Sequence, residues 1–336
     1  IRYPEMSRGL GDVYKRQDWL DRLGMDVPTT YDEFIEMLTR FKNEIPECTA
    51  PYTAPGLKST QALPEFYQGA TADYVKVDGK WVDGMAQDNM LTALQNLQDA
   101  YTAGLIDQEA ITNTTSSCRD EWYAGTVGCF PYWGGLWGET LTVRLKQNVP
   151  DAEVIALPPI EGATYLYSAP SVQVISSKLS NEQVASVFKY FIEYMHDGGE
   201  GQVLFQSGVE GVHWEQDGNN IKPLPTISKP AEVFQKAWIT PWLAITPMTA
   251  ADKNVEISQA VSDSLAVVSA NAKNISVFPV SEQRTMITSD LTTARENIIS
   301  RVAMGQLTPE EGMAEYKAQA ETLNVAQALE EMNANA

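Results

Sequence analysis

Three large aromatic residues surround a pair of adjacent glycines. Tyr132 and Trp133 precede Gly134 and Gly135, and Trp137 follows them. A buried strand would not normally leave tryptophan exposed, whereas a glycine-rich loop can present an aromatic ring as a platform. Sugar rings have apolar C–H faces and hydroxyl rims, so a receptor for them combines aromatic platforms with carboxylates and amides. The segment therefore predicts a mobile loop that binds a sugar, with packing of Trp137 beneath the loop as the alternative.

Three further clusters combine aromatic and polar side chains in a way that suits the same chemistry. Two of them also have an ordinary structural explanation: alternating tyrosines fit a strand, and a satisfied structural glutamate with a hairpin-packing tryptophan fits the segment after Gly208. Both interpretations stay open for these positions. The clusters are Glu65 with Tyr67, Tyr165 with Tyr167, and Glu210 with His213 and Trp214.

The sequence contains no complete motif of the common catalytic classes. It has no G-x-S-x-G elbow, no H-E-x-x-H and no Walker phosphate loop, and Gly199 and Gly201 are followed by Leu204 where G-x-G-x-x-G needs a third glycine. Ser186 and Lys189 match S-x-x-K on an amphipathic helix, without supporting motifs. We therefore expect a binding protein and no enzyme. A glycosidase, which needs only two carboxylates, is the alternative, and a structural or adhesion protein is a third class.

The composition is that of a folded, strongly acidic chain, which repels anionic partners. Its 336 residues are 43% hydrophobic and 20% charged, as in ordinary globular proteins. The 24 basic and 44 acidic residues give a net charge of −20, which repels nucleic acid and anionic membranes. No apolar run reaches the ~18 residues of a membrane-spanning helix. The sequence thus predicts neither a nucleic-acid-binding nor a membrane-spanning protein.

Cysteine and histidine are too few for most metal centres. Cys48, Cys118 and Cys129 show no C-x-x-C spacing, so they allow one disulfide bond at most. His196 and His213 are the two histidines of the chain, which leaves little room for a multi-histidine metal site. We expect no metal and no cofactor.

Capping signals and turn residues predict alternating helices and strands. Asp-Gly pairs at Asp78 and Asp217 predict two hairpins. Trp238 and Trp242 flank a Thr-Pro pair and are expected in a core. The alternation of elements predicts an α/β architecture. Capping boxes, which mark helix starts, are predicted for Thr30 with Glu33, Ser180 with Gln183, and Thr308 with Glu311.

The first seventeen residues differ from the rest of the chain. They contain four basic and two acidic residues, show no apolar periodicity, and lack the apolar central region of a signal peptide. The string from Leu10 to Gln17 resembles a translated adapter sequence that contaminates the ends of some metagenomic assemblies. We expect residues 1–17 to be non-native, with the native chain beginning near Asp18 and its preceding part missing. A disordered tail of the mature protein is the alternative.

Five segments of the sequence carry a family resemblance. They are Asp18–Phe34, the aromatic segment after Gly125, Leu157–Pro159, Gly208–Gly211 and Gly305–Glu311. They occur in the order seen in family 1 extracellular solute-binding proteins, the substrate-capturing components of carbohydrate ABC importers, which are similar to maltose-binding protein. The resemblance extends from Asp18 to about Leu323.

The resemblance implies an α/β fold, a two-lobed periplasmic-binding-protein-like clamp of type II that holds its ligand between the lobes. It places residues 18–168 and 282–336 in the second lobe and residues 169–281 in returning segments of the first lobe, which would be incomplete. An aromatic residue lines the cleft of the family near the glycine-rich loop, and Trp133 or Trp137 matches that position. Gly128-Cys129 stands where Ala-Met is usual, so the register is open by a residue or two.

The resemblance also implies the function. We expect extracytoplasmic capture of a solute, an oligosaccharide, and its delivery to the permease subunits of an ABC importer. Binding would be reversible, and the receptor would be a monomer and a membrane-anchored lipoprotein in its full-length form, with the signal peptide and anchor absent here. Some similar receptors take other polar solutes, so the resemblance does not name the sugar.

Overall fold

The computed structural model describes residues 11–58, 62–167, 174–224, 254–255, 258–274 and 277–336. Residues 1–10, Trp238 and Trp242 lie outside the described residues. The chain divides into two compact units, the first formed by Ile1–Ala169 with Asp263–Ala336 and the second by Pro170–Ser262. Residues 263–281 group with the first unit in this division. The assignment of lobes stays a prediction.

Helices and strands alternate through most of the described chain. The helices are α1 (Gln17–Leu23), α2 (Tyr31–Glu44), α3 (Pro64–Tyr67), α4 (Asn89–Thr102), α5 (Thr115–Ala124), α6 (Leu136–Asn148), α7 (Asn181–Val187), α8 (Glu200–Ser207), α9 (Gln259–Asn271), α10 (Glu282–Ala303), α11 (Pro309–Thr322) and α12 (Val325–Ala334). The strands are β1 (Gly11–Arg16), β2 (Ala50–Tyr52), β3 (Tyr74–Val77), β4 (Lys80–Asp83), β5 (Val127–Trp133), β6 (Val154–Ala156), β7 (Leu166–Tyr167), β8 (Trp214–Asp217), β9 (Asn220–Pro223), β10 (Asn254–Val255) and β11 (Lys273–Asn274).

A four-stranded sheet with the order β2-β5-β1-β6 forms the centre of the first unit. β1 pairs antiparallel with both β5 and β6, and β5 pairs parallel with β2. The disordered-tail interpretation is wrong for residues 11–17, because β1 lies between two partner strands and Gln17 begins α1. Val13 and Tyr14 are buried in this position. That residues 1–17 are non-native stays a prediction.

The predicted capping boxes are present in the structure. The side chains of Thr30, Ser180 and Thr308 each accept a hydrogen bond from the backbone N–H three residues later, and the reciprocal bonds are also made. The Asp78 hairpin joins β3 and β4 in antiparallel register, with positive φ angles at Asp78 and Gly79 as a tight hairpin turn requires. The Asp217 hairpin likewise joins β8 and β9. These elements are confirmed.

A buried ion pair connects the C-terminal helices to the β3–β4 hairpin. Arg295 of α10 lies 2.7 Å from Asp83 and 3.1 Å from Asp73. Tyr316 of α11 donates a hydrogen bond of 2.6 Å to the other carboxylate oxygen of Asp83. Arg295 and Asp83 are both buried. A buried charge requires such partners, because removal from water is costly for an unpaired ion.

The second unit has a small core of its own. Val203, Trp214 and Ile221 form a buried cluster, which α8 and the β8–β9 hairpin supply. α7 continues as a π-helix over Phe188–Glu193, where Phe188 is 53% exposed and Tyr190 is 70% exposed. This helix therefore exposes the side chains of two aromatic residues to solvent. None of the helices in the described part of the chain is long and apolar enough to cross a membrane.

Candidate functional site

The three aromatic residues around the glycine pair sit where a strand runs directly into a helix. β5 ends at Trp133, α6 begins at Leu136, and Trp137 lies on the first turn of α6. The positive φ of Gly135, +70°, allows this sharp change of direction at a residue without a β-carbon. The expectation that a glycine-rich loop carries the tryptophans is therefore wrong, because Trp133 lies on a strand and Trp137 on a helix. Only Gly134 and Gly135 separate the strand from the helix.

The rings of Tyr132, Trp133 and Trp137 form one contiguous group, called here the aromatic cluster. The ring centroids of Tyr132 and Trp137 are 4.8 Å apart at an interplanar angle of 75°, and those of Trp133 and Trp137 are 6.0 Å apart at 62°. These edge-to-face arrangements are favourable for aromatic pairs. Tyr132 is buried, whereas both tryptophans are half-buried. Both tryptophans thus retain accessible surface beside a buried tyrosine.

Arg119 of α5 adds a cation to the aromatic cluster. Its Nη1 donates a hydrogen bond of 3.0 Å to the Tyr132 hydroxyl, and its guanidinium carbon lies 5.5 Å from the ring centroid of Trp137. Its Nη2 donates to the Ser116 hydroxyl at 3.0 Å. The sequence analysis missed Arg119, because no spacing motif connects it to residues on the next strand and helix. Arg119 is half-buried, so it places hydrogen-bond donors beside the accessible indole surface.

Glu65, Tyr67 and Tyr165 lie in the core of the first unit. The Glu65 carboxylate is fully buried and accepts hydrogen bonds from the hydroxyls of Tyr52, at 3.2 Å, and Tyr165, at 3.1 Å. Burial raises the pKa of Glu65 from 4.5 to about 7, because the charged form is poorly solvated there. The Tyr67 hydroxyl contacts the backbone oxygens of Leu57 and Lys58, each at 2.8 Å.

These three residues have structural contacts, and their predicted contact with a ligand stays a prediction. Tyr67 and Tyr165 belong to the large core cluster of the first unit, whereas Tyr132 belongs to a separate cluster. Tyr167 is the last residue of β7, which pairs in parallel with β11. The structure therefore brings Glu65 and Tyr165 together, but not within the aromatic cluster.

The Glu210 segment forms a closed turn in the second unit. Trp214 is buried, and its Nε1 donates a hydrogen bond of 2.9 Å to the Gly208 oxygen. The His213 Nδ1 accepts a hydrogen bond of 2.9 Å from the backbone nitrogen of Val209. Glu210 is exposed. The Nδ1 atom of His213 and the Nε1 atom of Trp214 are thus used within the turn, and a role of this segment in ligand binding stays a prediction.

Asp107 and Glu121 form a pair of carboxylates that the sequence analysis did not single out. The Thr53 hydroxyl contacts an oxygen of Asp107 at 3.0 Å and an oxygen of Glu121 at 2.9 Å. Asn113 Nδ2 donates to the same Asp107 oxygen at 2.5 Å. Burial raises the pKa of Glu121, and the neighbouring Asp107 contributes to the shift. The pair provides acid–base groups that the glycosidase alternative would need.

The described residues contain no group of three or more His, Cys, Asp or Glu side chains placed to hold a metal ion. All three cysteines are free. Burial raises the pKa of the thiols of Cys48 and Cys118 to about 12, so both stay in the protonated form near neutral pH.

A family model described as bacterial extracellular solute-binding protein matches residues 8–195, more than half of the chain. The chain belongs to this family. Its members are binding proteins in general. The lipoprotein LipO of Bacillus subtilis (strain 168) is 23% identical over 217 residues, which span 60% of this chain and 43% of that protein. The match thus covers less than half of the length of this curated relative.

Solved structures show the same fold. The alginate-binding protein AlgQ2 without calcium ion superposes with a TM-score of 0.67 at 18% identity, over 97% of this chain and 72% of that chain. The substrate-binding protein FusA of S. pneumoniae, in complex with kestose, gives 0.66 at 18% identity, over 98% and 72% of the two chains. The predicted α/β fold, that of periplasmic-binding-protein-like solute-binding proteins, is confirmed.

Proposed function

We propose that this protein binds an oligosaccharide reversibly outside the cytoplasm and delivers it, chemically unchanged, to the permease subunits of an ABC importer. The observation that carries the proposal is the aromatic cluster, with two half-buried indoles beside the guanidinium group of Arg119. Membership in a family of extracellular solute-binding proteins supports it. The names of two similar structures, which mention alginate and kestose, also point to carbohydrates.

The chemistry of the aromatic cluster suits a sugar ring better than a purely apolar or purely ionic ligand. An indole face provides a flat apolar surface for the C–H groups of a pyranose or furanose ring. Arg119 supplies N–H donors for ring hydroxyls at the edge of that surface. Since each tryptophan keeps part of its area accessible, sugar contact would remove apolar surface from water on both partners.

Membership in the family supports a proposal on delivery and anchoring. We propose that the full-length protein is a monomeric lipoprotein, for which the relationship to LipO provides support. Its partners would be the membrane-spanning subunits of the importer. The net charge of −20 opposes any association with nucleic acid.

The glycosidase alternative rests on the Asp107–Glu121 pair. Two carboxylates are sufficient for glycoside hydrolysis when one acts as the acid and the other as the base or nucleophile. The Thr53 hydroxyl contacts both carboxylates, and Asp107 also accepts a hydrogen bond from Asn113. These contacts give the pair a structural explanation as well.

One experiment separates a receptor from an enzyme. Neutral and uronate-containing oligosaccharides are titrated by isothermal calorimetry, and each bound sugar is then recovered and analysed by mass spectrometry and by a reducing-end assay. We expect saturable binding of at least one oligosaccharide, recovery of that sugar intact, and weaker binding by Trp137→Ala. Release of new reducing ends by the wild-type protein, lost in Asp107→Asn or Glu121→Gln, would establish the glycosidase instead. Failure of every sugar to bind would remove the carbohydrate proposal.

A further inference from the structure

Two buried hydroxyl groups contact the backbone between Trp133 and Trp137. The Tyr14 hydroxyl donates a hydrogen bond of 2.9 Å to the Trp133 carbonyl oxygen. The Ser264 hydroxyl oxygen accepts a hydrogen bond of 2.7 Å from the Gly135 backbone nitrogen. The two hydroxyl oxygens lie 3.2 Å from each other. Tyr14 is 1% exposed and Ser264 is 0% exposed, so water does not compete for these groups.

The direction of the third hydrogen bond follows from a count of protons. A tyrosine hydroxyl has one proton, and the carbonyl oxygen of Trp133 can only accept it. The Ser264 hydroxyl must therefore donate to the Tyr14 oxygen. The three hydrogen bonds therefore form one series, in which the Gly135 N–H donates to Ser264, Ser264 to Tyr14, and Tyr14 to the Trp133 carbonyl oxygen. Both ends of this series lie on the backbone of residues 133–135.

This chain of hydrogen bonds fixes the segment that sets the angle between the two indoles. Trp133 is the last residue of β5 and Trp137 lies one residue into α6, so the backbone of Gly134 and Gly135 alone connects the two elements. Two adjacent glycines are conformationally permissive, and the segment needs external contacts to hold one geometry. Consecutive hydrogen bonds polarise one another in a buried site, which makes the chain well suited to this task.

The anchoring residues come from distant parts of the sequence. Tyr14 is on β1, and Ser264 is on α9, at a position that belongs to the first unit. The side chain of Leu265, the next residue, lies 3.4 Å from the point where Gly135 would carry a β-carbon. Packing and hydrogen bonding from α9 therefore act on the same glycine.

We propose that Ser264 is a positioning residue that holds Trp133 and Trp137 in the geometry that binds the solute, an inference that rests on the proposed function. Tyr14, which lies in the segment expected to be non-native, completes the chain of hydrogen bonds in this sequence. Neither hydroxyl touches the solute. Their effect is transmitted through the backbone of Gly135 and Trp133, which determines the 62° angle between the two indole rings. Loss of either hydroxyl also leaves a buried backbone group without its partner, and the segment relaxes to restore a hydrogen bond.

The test compares Ser264→Ala with Ser262→Ala, an exposed serine on the same helix. The near-ultraviolet circular dichroism spectrum reports the packing of the coupled aromatic rings without any ligand, and calorimetry reports the affinity for the oligosaccharide found for the wild type. We expect Ser264→Ala to change the aromatic bands and to weaken binding about five- to ten-fold, the effect of one lost hydrogen bond. Ser262→Ala should change neither, and Ser264→Thr should restore both.

Tyr14→Phe provides a second, less disruptive variant, because it removes one oxygen atom and keeps the ring. It should reproduce the spectral change, and the double variant with Ser264→Ala should add little to either single change, since both remove the same chain of bonds. An unaltered spectrum in folded Ser264→Ala and Tyr14→Phe would overturn the inference, as would an altered spectrum with unchanged affinity. If no oligosaccharide binds the wild type, the proposed function fails, while the spectral comparison still decides whether the hydroxyls position the rings.

Discussion

The hydroxyl oxygen of Ser264 lies 2.7 Å from the backbone nitrogen of Gly135, although 129 positions separate them in the sequence. This contact fixes the turn between Trp133 and Trp137 and so joins a helix from late in the chain to the proposed binding surface. The surface thus depends on three distant segments, around residues 14, 119 and 264.

Replacement of Trp133 or Trp137 by alanine should weaken sugar binding. Each tryptophan is half-buried, and truncation of a binding hot spot costs about 1–3 kcal/mol, or about ten- to a hundred-fold in affinity. Calorimetric titration measures this loss, and thermal melting shows whether the fold survives. Tyr123→Ala is the matched control, because Tyr123 is half-buried against the same core cluster but belongs to no ring pair of the aromatic cluster. Lowered melting temperatures with unchanged affinity in both tryptophan variants would remove the aromatic cluster from the site.

Arg119→Gln should weaken binding by a smaller amount. The substitution removes the guanidinium group that lies 5.5 Å from the Trp137 ring centroid and donates to the Tyr132 hydroxyl. A partly exposed cation–π contact contributes about 0.5–1 kcal/mol, so we expect an affinity about two- to five-fold lower. Arg144→Gln is the control, since the exposed Arg144 makes a similar contact with Tyr123. Equal affinities for the two variants in calorimetry would contradict the role of Arg119.

The stability of the protein should depend on the ionisation of Glu65. Its pKa in the folded state is raised to about 7 from 4.5, so the folded protein holds this proton more tightly than the unfolded chain does. The stabilisation is complete below pH 4.5 and is lost as the pH rises through 7. At about 1.4 kcal/mol for each pKa unit, the loss amounts to about 3 kcal/mol.

Glu65→Gln keeps the shape of the side chain and removes the proton equilibrium. Urea unfolding gives the free energy of unfolding of both proteins between pH 4 and pH 8. We expect the difference between the variant and the wild type to change by about 3 kcal/mol in favour of the variant over this interval. Glu36→Gln, at an exposed carboxylate, should leave the wild-type pH dependence unchanged. Parallel curves for Glu65→Gln and the wild type would show that Glu65 does not retain its proton in the fold.

The two acidic partners of Arg295 should differ strongly in their effect on stability. Asp83 is 6% exposed at its side chain and also accepts a hydrogen bond from Tyr316, whereas the side chain of Asp73 is 68% exposed. Asp83→Asn leaves a buried guanidinium without its main counter-ion and should cost about 3–5 kcal/mol. Asp73→Asn should cost at most about 1 kcal/mol, as for an exposed ion pair. Chemical denaturation of the two variants makes the comparison, and similar losses in both would contradict it.

Much of the secondary structure could be predicted from the sequence, because its signals are local. The capping box of Thr30 and Glu33 depends on residues three positions apart, and the turn at Asp78 and Gly79 depends on two adjacent residues with positive φ. The order of five short segments was also sufficient to indicate the family. Such features need no knowledge of which distant elements meet.

The sequence by itself determined the helix starts, the hairpins, the fold family and the aromatic residues of the cluster. Only the tertiary structure decided that residues 11–16 form a central strand, that Glu65 is buried between Tyr52 and Tyr165, and that Trp137 lies on a helix. The tertiary structure also decided the contact of Arg119 with the aromatic cluster and the contact of Ser264 with Gly135. The physical reason is that burial, strand pairing and the shift of a pKa depend on which distant residues exclude water from a group, and no local pattern records those neighbours.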